Sequence, residues 1–340
     1  MMNLSDQIKH DIRLGVFCLP VMIVISMTGF LSGHVPAASI AASGAMTLAF
    51  GANKTWGGSS FVMMLITTLG LMLSAWMGSM AGNVIPLYIA GALLYTGLYV
   101  MMANIDSSAW WMIQQWAIAY LVSGYYADNA SQDLARAGMI GLGGMVQMLF
   151  LAVVYQHTHF RVKDLNPRAW MTFLERNTGP YRHKLHLQWS VMTGVIAMCA
   201  VLMTVRYFQM PNGYWAGMTL LLCLRNNYQD TFGRARSRVA GTLLGGTTAA
   251  FMIMNYQQPW FLMTAFIVTG FISFTLSYSL ISKCYWLFSA FITMMVVFMI
   301  SSFTTPEAGI AAHRVEATLL GGFFAIAAFL ITRWVTHRKV

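Results

Sequence analysis

Long uninterrupted apolar runs, separated by short polar or Gly/Pro turns, set the pattern of this chain. Twelve recur, at roughly 14–33, 36–51, 58–80, 84–103, 108–126 and 137–155, then 187–206, 213–224, 237–255, 259–280, 284–302 and 314–334. Most approach the ~20 residues a helix needs to cross a ~30 Å hydrocarbon core. None alternates apolar and polar residues with period two, so the runs predict helices rather than barrel strands. The fold expected is an all-α polytopic membrane protein of about 12 transmembrane helices. Two runs are short. The second, 36–51, opens at Pro36 and is rich in small residues, and the eighth, 213–224, has about a dozen. After the eighth comes a polar stretch, RNNYQDTFG, with Arg225, Tyr228 and Asp230; it reads as a turn before a helix that opens with Arg234, Arg236 and Arg238.

The second half repeats the first at an offset near 178. ARAGMIGLGG at 135–144 aligns with HRVEATLLGG at 313–322, matching Arg136 with Arg314 and Gly143 with Gly321. The short span at Pro36 likewise aligns with the short span near Tyr214. Six helices per repeat makes the repeats parallel, and paired short spans at matching positions point to a transport site. The organisation expected is a first six-helix repeat over 1–155, a cytoplasmic linker over 156–186, and a second repeat over 187–340. The positions matching Arg234 and Arg238 are Trp56 and Ser60, with only Lys54 basic nearby, so the first half could be scaffold. Lys9 and Arg13 before the first apolar run resemble a secretory signal, but the second half keeps the equivalent helix, so retention is expected.

Composition agrees: 58% of residues are hydrophobic and 9% charged, with a mean hydropathy of +0.62. The 28 Met and 29 Gly suit closely packed membrane helices. With cytoplasmic termini, 17 of the 20 basic residues fall inside, and only Arg136, Arg206 and Arg314 outside. The net charge of +10 is thereby explained by orientation, and nucleic acid is not an expected partner. Cys18, Cys199, Cys223 and Cys284 lie scattered in the spans and read as reduced. His34, His157, His159, His183 and His186 share no ligand face, so no metal or other cofactor is expected. No catalytic elbow, phosphate loop or carboxylate pair argues for an enzyme.

At 100° per residue, Arg234, Arg238, Gly241 and Gly245 share one helix face, with Thr242 beside them. Guanidiniums stand there above a smooth stripe on which a second helix can pack, and such a face attracts carboxylates. Basic residues near a cytoplasmic loop serve equally as topology signals. Arg136 and Arg314 each open the last helix of a repeat, with Gly143 and Gly321 seven residues on. They read either as anion contacts at an external mouth or as helix-end anchors. Glu316 is expected to pair with Arg314 or to carry a proton; Asp230 reads as a turn or cap residue that balances charge. Tyr214, Trp215, Trp56 and Tyr228 either line a path for a flat anion or anchor the interface.

The string YWAGMT, a polar turn and RARSRVAGTLLG resemble the signature of the fusaric acid resistance and aromatic acid exporter superfamily, over about 35 residues. This chain lacks the large cytoplasmic domain usual between the membrane halves of full-length exporters. The resemblance implies a bacterial inner-membrane exporter of small organic anions, aromatic carboxylic or related toxic acids; the residues whose position suits contact with such a substrate are Arg225, Arg234, Arg238, Tyr214, Trp215, Arg136 and Arg314. A proton gradient would drive it, and a periplasmic adaptor or a second copy of the chain are further partners left open. Two rival readings are a passive anion channel and a non-transporting scaffold that binds anionic lipid headgroups.

Overall fold

The computed structural model describes every residue except 1–3, 57, 104, 156–184, 226–227, 279, 303–308 and 338–340. The linker expected over 156–186 lies almost wholly outside the described residues, and so does the Tyr228 side chain. Among the described residues there are twelve α-helices, one 3-10 turn at Leu280–Ser282 and no strand. The first six are α1 (Leu4–Ser32), α2 (Val35–Phe50), α3 (Ser60–Gly82), α4 (Ile85–Met102), α5 (Ser107–Tyr125) and α6 (Ala130–Val153). The second six are α7 (Leu185–Tyr207), α8 (Tyr214–Cys223), α9 (Tyr228–Asn255), α10 (Pro259–Ser277), α11 (Tyr285–Ser301) and α12 (Gly309–His337).

Local chemistry sets the boundaries. Asp106 caps α5, accepting from Ser108 N at 2.9 Å and Ala109 N at 2.7 Å; Ser59 and Asn129 cap α3 and α6. Pro36, Pro86 and Pro259 occupy first turns, where a missing N–H costs nothing. One boundary differs from the sequence reading. Helix α9 starts at Tyr228, so most of the stretch expected as a turn is helical. The Thr231 hydroxyl explains the early start: it accepts from Arg225 N at 3.1 Å and donates to Arg225 O at 3.2 Å, closing the break with a side chain.

Seven helices, α1, α3, α4, α6, α7, α10 and α12, contain segments long and apolar enough to cross a membrane. Helices α2, α8 and α11 are apolar but have only 16, 10 and 17 residues. Leu31, Val153, Phe251 and Phe323 stand exposed, an apolar surface that suits lipid and would not persist in water. The chain is a multi-pass membrane protein.

Packing follows parallel rules in the two sets of six helices. Helix α3 packs on α5 and α6, and α9 on α11 and α12. Helix α2 packs on α6, and α8 on α12. Between the sets, α1 meets α10 and α4 meets α7. A Cβ on Gly143 would overlap the Ala41 carbonyl of α2, and one on Gly321 the Ala216 carbonyl of α8. These glycines let the last helix of each set touch the short helix backbone to backbone. Gly241 and Gly245 do the same for α9 against α11, at Trp286 and Ala290.

The element at the centre is α8. Its ten residues rise only ~15 Å, half a bilayer core. All of them except Met218 and Leu222 are buried, against α12, α7, α5 and α9.

Candidate functional site

The sequence singles out five arginines for the substrate, Arg225, Arg234 and Arg238 near α8 and α9 and Arg136 and Arg314 on α6 and α12; the structure turns all but Arg136 onto buried or aromatic surroundings around α8, α9 and α12. Arg225 sits where α8 ends. Its guanidinium carbon lies 4.4 Å from the Trp110 ring centroid, and its Nη1 donates to Tyr99 Oη at 3.0 Å. The Tyr99 hydroxyl in turn donates to the Leu221 carbonyl, one of those a helix end leaves unpaired. Beside it lies a small pocket lined by Tyr99, Thr193, Leu224, Arg225 and Thr332 among others.

Arg234 lies nearly two turns into α9, its guanidinium carbon 4.0 Å from the Tyr285 ring centroid. Arg236 points the other way and is exposed. Arg238 is one turn deeper, 3% exposed, with no hydrogen-bond partner at Nε. Its backbone carbonyl accepts from Ser289 Oγ at 3.1 Å, and Thr242 Oγ1 lies 3.5 Å from that hydroxyl, so α9 is fixed to α11 at this level.

Arg314 comes from α12. It is also 3% exposed, stacks 4.8 Å over Trp215, and has an unpartnered Nε. Trp215 and Tyr214 are buried, and Tyr214 packs on Tyr125 and Tyr126 at ring separations of 5.0 and 5.8 Å. Tyr214 and Trp215 are thus buried, while Tyr125 and Tyr126 remain exposed at the rim of the cluster. Among the described residues, no ion pair joins any of the four to a carboxylate.

Arg136 is held differently. Its Nη1 reaches Asp133 Oδ1 at 3.3 Å, Ser79 Oγ at 2.9 Å and Ser123 O at 3.4 Å. Arg136 is therefore paired with a carboxylate of its own helix, unlike the other four. The expected pairing of Glu316 with Arg314 is not made. Two residues apart on a helix is about 200° of rotation, and Glu316 is exposed while Arg314 is buried. Asp230 lies exposed in the first turn of α9. In the loop after α2, burial holds the Lys54 ammonium below the usual lysine range, and the Asp106 carboxylate partly opposes this.

Tyr99, Trp110, Tyr285, Tyr125 and Tyr126 complete the site, and none stands out in the sequence as a partner of an arginine. One signal was available. With 20 Lys and Arg against 10 Asp and Glu, buried guanidiniums would have to rest on something other than acids. Asp11, 4% exposed on α1, is a buried acid that the pattern does not flag either. Among the described residues no cluster of three or more His, Cys, Asp or Glu could hold a metal ion.

No curated protein and no solved structure matches the chain. Residues 196–328, which hold α8, α9 and all four inward arginines, match the family model described as fusaric acid resistance protein-like. That span includes the YWAGMT and RARSRVAGTLLG segments, so the second half of the chain is similar to that family.

Proposed function

We propose that this protein is a bacterial inner-membrane exporter of small organic anions, aromatic carboxylates among them, built as two parallel six-helix repeats with cytoplasmic termini. The observation that supports it is the column of four guanidiniums, Arg225, Arg234, Arg238 and Arg314, around a helix of ten residues. Three rest on aromatic faces, and none meets a carboxylate among the described residues. A stacked guanidinium keeps its N–H edge free, and that edge forks onto a carboxylate. A half-length helix also leaves polar backbone ends at membrane depth, the arrangement by which transporters build their sites.

In this reading an anion enters from the cytoplasm at the Arg225 pocket, passes Arg234, and reaches Arg238 and Arg314 deeper in. Each guanidinium offers the bidentate contact that replaces water, and flat aromatic walls suit a flat anion. The proton gradient drives the cycle. Arg136, matched by Asp133, ties α6 to α3 at the outer end and contributes no free charge.

The test is flux of 4-hydroxybenzoate at pH 8 from liposomes holding the purified protein, with and without a pH gradient. Flux above that of empty liposomes, steeper with the gradient, is expected. Arg234→Ala should cut it at least ~10-fold at equal reconstituted protein, the loss of about 1.5 kcal/mol or more for one charge-assisted contact. Arg234→Lys should recover only part, because lysine lacks the fork. Wild-type flux in Arg234→Ala, or none in the wild type, overturns the reading.

A further inference from the structure

One short turn, residues 208–213 between α7 and α8, joins the second half to the first at the outer ends of the helices. Among the described residues, both non-glycines with left-handed backbone lie in it, Gln209 at φ +49° and Asn212 at φ +54°. The turn folds back on α7: Met210 N donates to Val205 O at 3.0 Å, and a Cβ on Gly213 would overlap Val205 Cγ1. Asn212 then reaches across to the end of α5. Its backbone N–H donates to Tyr125 Oη at 2.8 Å, and its Oδ1 accepts from Tyr126 Oη at 3.2 Å.

The α5 side of this contact is braced within its own half. Asn83 Nδ2 donates to Asp128 O at 3.1 Å, Tyr88 Oη to Leu121 O at 2.9 Å, and Arg136 Nη1 to Ser123 O at 3.4 Å. At the inner ends the halves are joined through buried groups: Tyr99 Oη donates to Leu221 O, and Tyr278 Oη to Ala49 O at 2.7 Å. Breaking those bonds would strand desolvated groups, whereas exposed partners turn to water at little cost. Tyr125 and Tyr126 are each 43% exposed, so the outer boundary is the one built to open. We infer that the α7–α8 turn is the outer gate of the pathway, and that Asn212 is its latch on Tyr125 and Tyr126. The inference rests on the exporter reading, which supplies the pathway and the outward side, and adds to it the moving part. Tyr214 and Trp215 begin α8, so they move with the turn. Their rings then leave Tyr125, Tyr126 and the Arg314 guanidinium, and an anion held at Arg314 gains its exit.

The experiment bridges the latch. Cys199 and Cys284, the two cysteines that are not buried, are first replaced by serine. Tyr126→Cys and Asn212→Cys are then joined by a short bis-methanethiosulfonate. Flux of 4-hydroxybenzoate from liposomes should stop, and dithiothreitol should restore it. The same bridge between Asn83→Cys and Asp128→Cys, inside the braced half, should leave flux unchanged. A second readout needs no flux and carries the test should the cysteine pair not fold. In detergent, the amides of 212–216 should exchange hydrogen at least ~3-fold faster in Tyr126→Phe and in Asn212→Gly, each having lost one hydrogen bond of the latch. Glycine keeps the left-handed backbone, so the turn itself is spared. Unchanged flux through the bridged latch overturns the inference, as does wild-type exchange in both variants. The two readings fail separately. Flux that ignores the bridge removes the gate alone, and absent flux with faster exchange in both variants removes the exporter alone.

Discussion

At Arg136 and Arg314 one residue type, at one place in a repeat, sits once on a carboxylate and once on an indole. The difference predicts opposite responses to losing charge. Asp133→Asn strands Arg136, which is only partly exposed, and should cost on the order of 3 kcal/mol, lowering Tm. Arg314→Met removes a desolvated charge that no carboxylate among the described residues balances, so without added anion Tm should hold or rise. Both are read by unfolding of the detergent-purified protein; a fall of similar size in the two variants would mean that Arg314 has a balancing partner after all. Much of the site is legible in sequence, because Arg234 and Arg238 share a face by helical arithmetic and Arg225 marks a break. The Asp133–Arg136 spacing was open to reading as well. Tyr99 and Tyr285 were not, since they reach the arginines from other helices; Tyr99 is 126 residues from Arg225. Such a meeting belongs to tertiary packing and leaves no local pattern.

At the scale of elements, what matters is that α9 lies close enough to α11 to hold Arg238 and Arg234 in register. Gly241 and Gly245 permit this, and the small-residue stripe is visible in the sequence because glycines at i and i+4 fall on one face. Its partner helix is not visible, because any apolar helix could have filled the role. A side chain at 245 would strike the Ala290 carbonyl, which backbone cannot easily yield. Gly245→Val should therefore cost about 1–3 kcal/mol in overpacking and, by parting the helices, reduce anion flux even with the protein in the membrane. Gly138→Ala is the control, since a Cβ there meets nothing within 4 Å, and it should leave Tm and flux unchanged. If Gly245→Val behaves like the control, the stripe does not set the helix spacing. Helix α9 starts earlier than its polar residues predict, for a physical reason. Asn, Gln and Asp favour turns by their local side-chain bonds, yet here Thr231 supplies that bond and leaves residues from Tyr228 onward free to be helical.

For the whole molecule, the matched pairings α3 with α5 and α9 with α11, α2 with α6 and α8 with α12, together with the reciprocal contacts α1 with α10 and α4 with α7, suit two parallel halves related by an axis along the membrane normal. That symmetry requires α1 and α7 to begin on the same side, with residues 156–184 joining them there. Orientation comes from charge. Lys and Arg are retained on the cytoplasmic face, and placing the termini there puts 17 of 20 inside, with Arg136, Arg206 and Arg314 the remainder. Two of those three are explained by the structure without appeal to topology, since Arg136 is paired with Asp133 and Arg314 is buried on Trp215. Only Arg206, exposed in the last turn of α7, stands against the rule. Reporter fusions after Val340 and within 160–185 should both read cytoplasmic, and fusions within 126–134 should read periplasmic. The weak point is α8, too short to cross the core alone. If it turned back instead of completing a crossing with the break after it, every later helix would invert. A fusion after Val340 would then read periplasmic while one within 160–185 stayed cytoplasmic. That single pair of signals decides whether Arg225 faces the cytoplasm, as entry of an anion at its pocket requires.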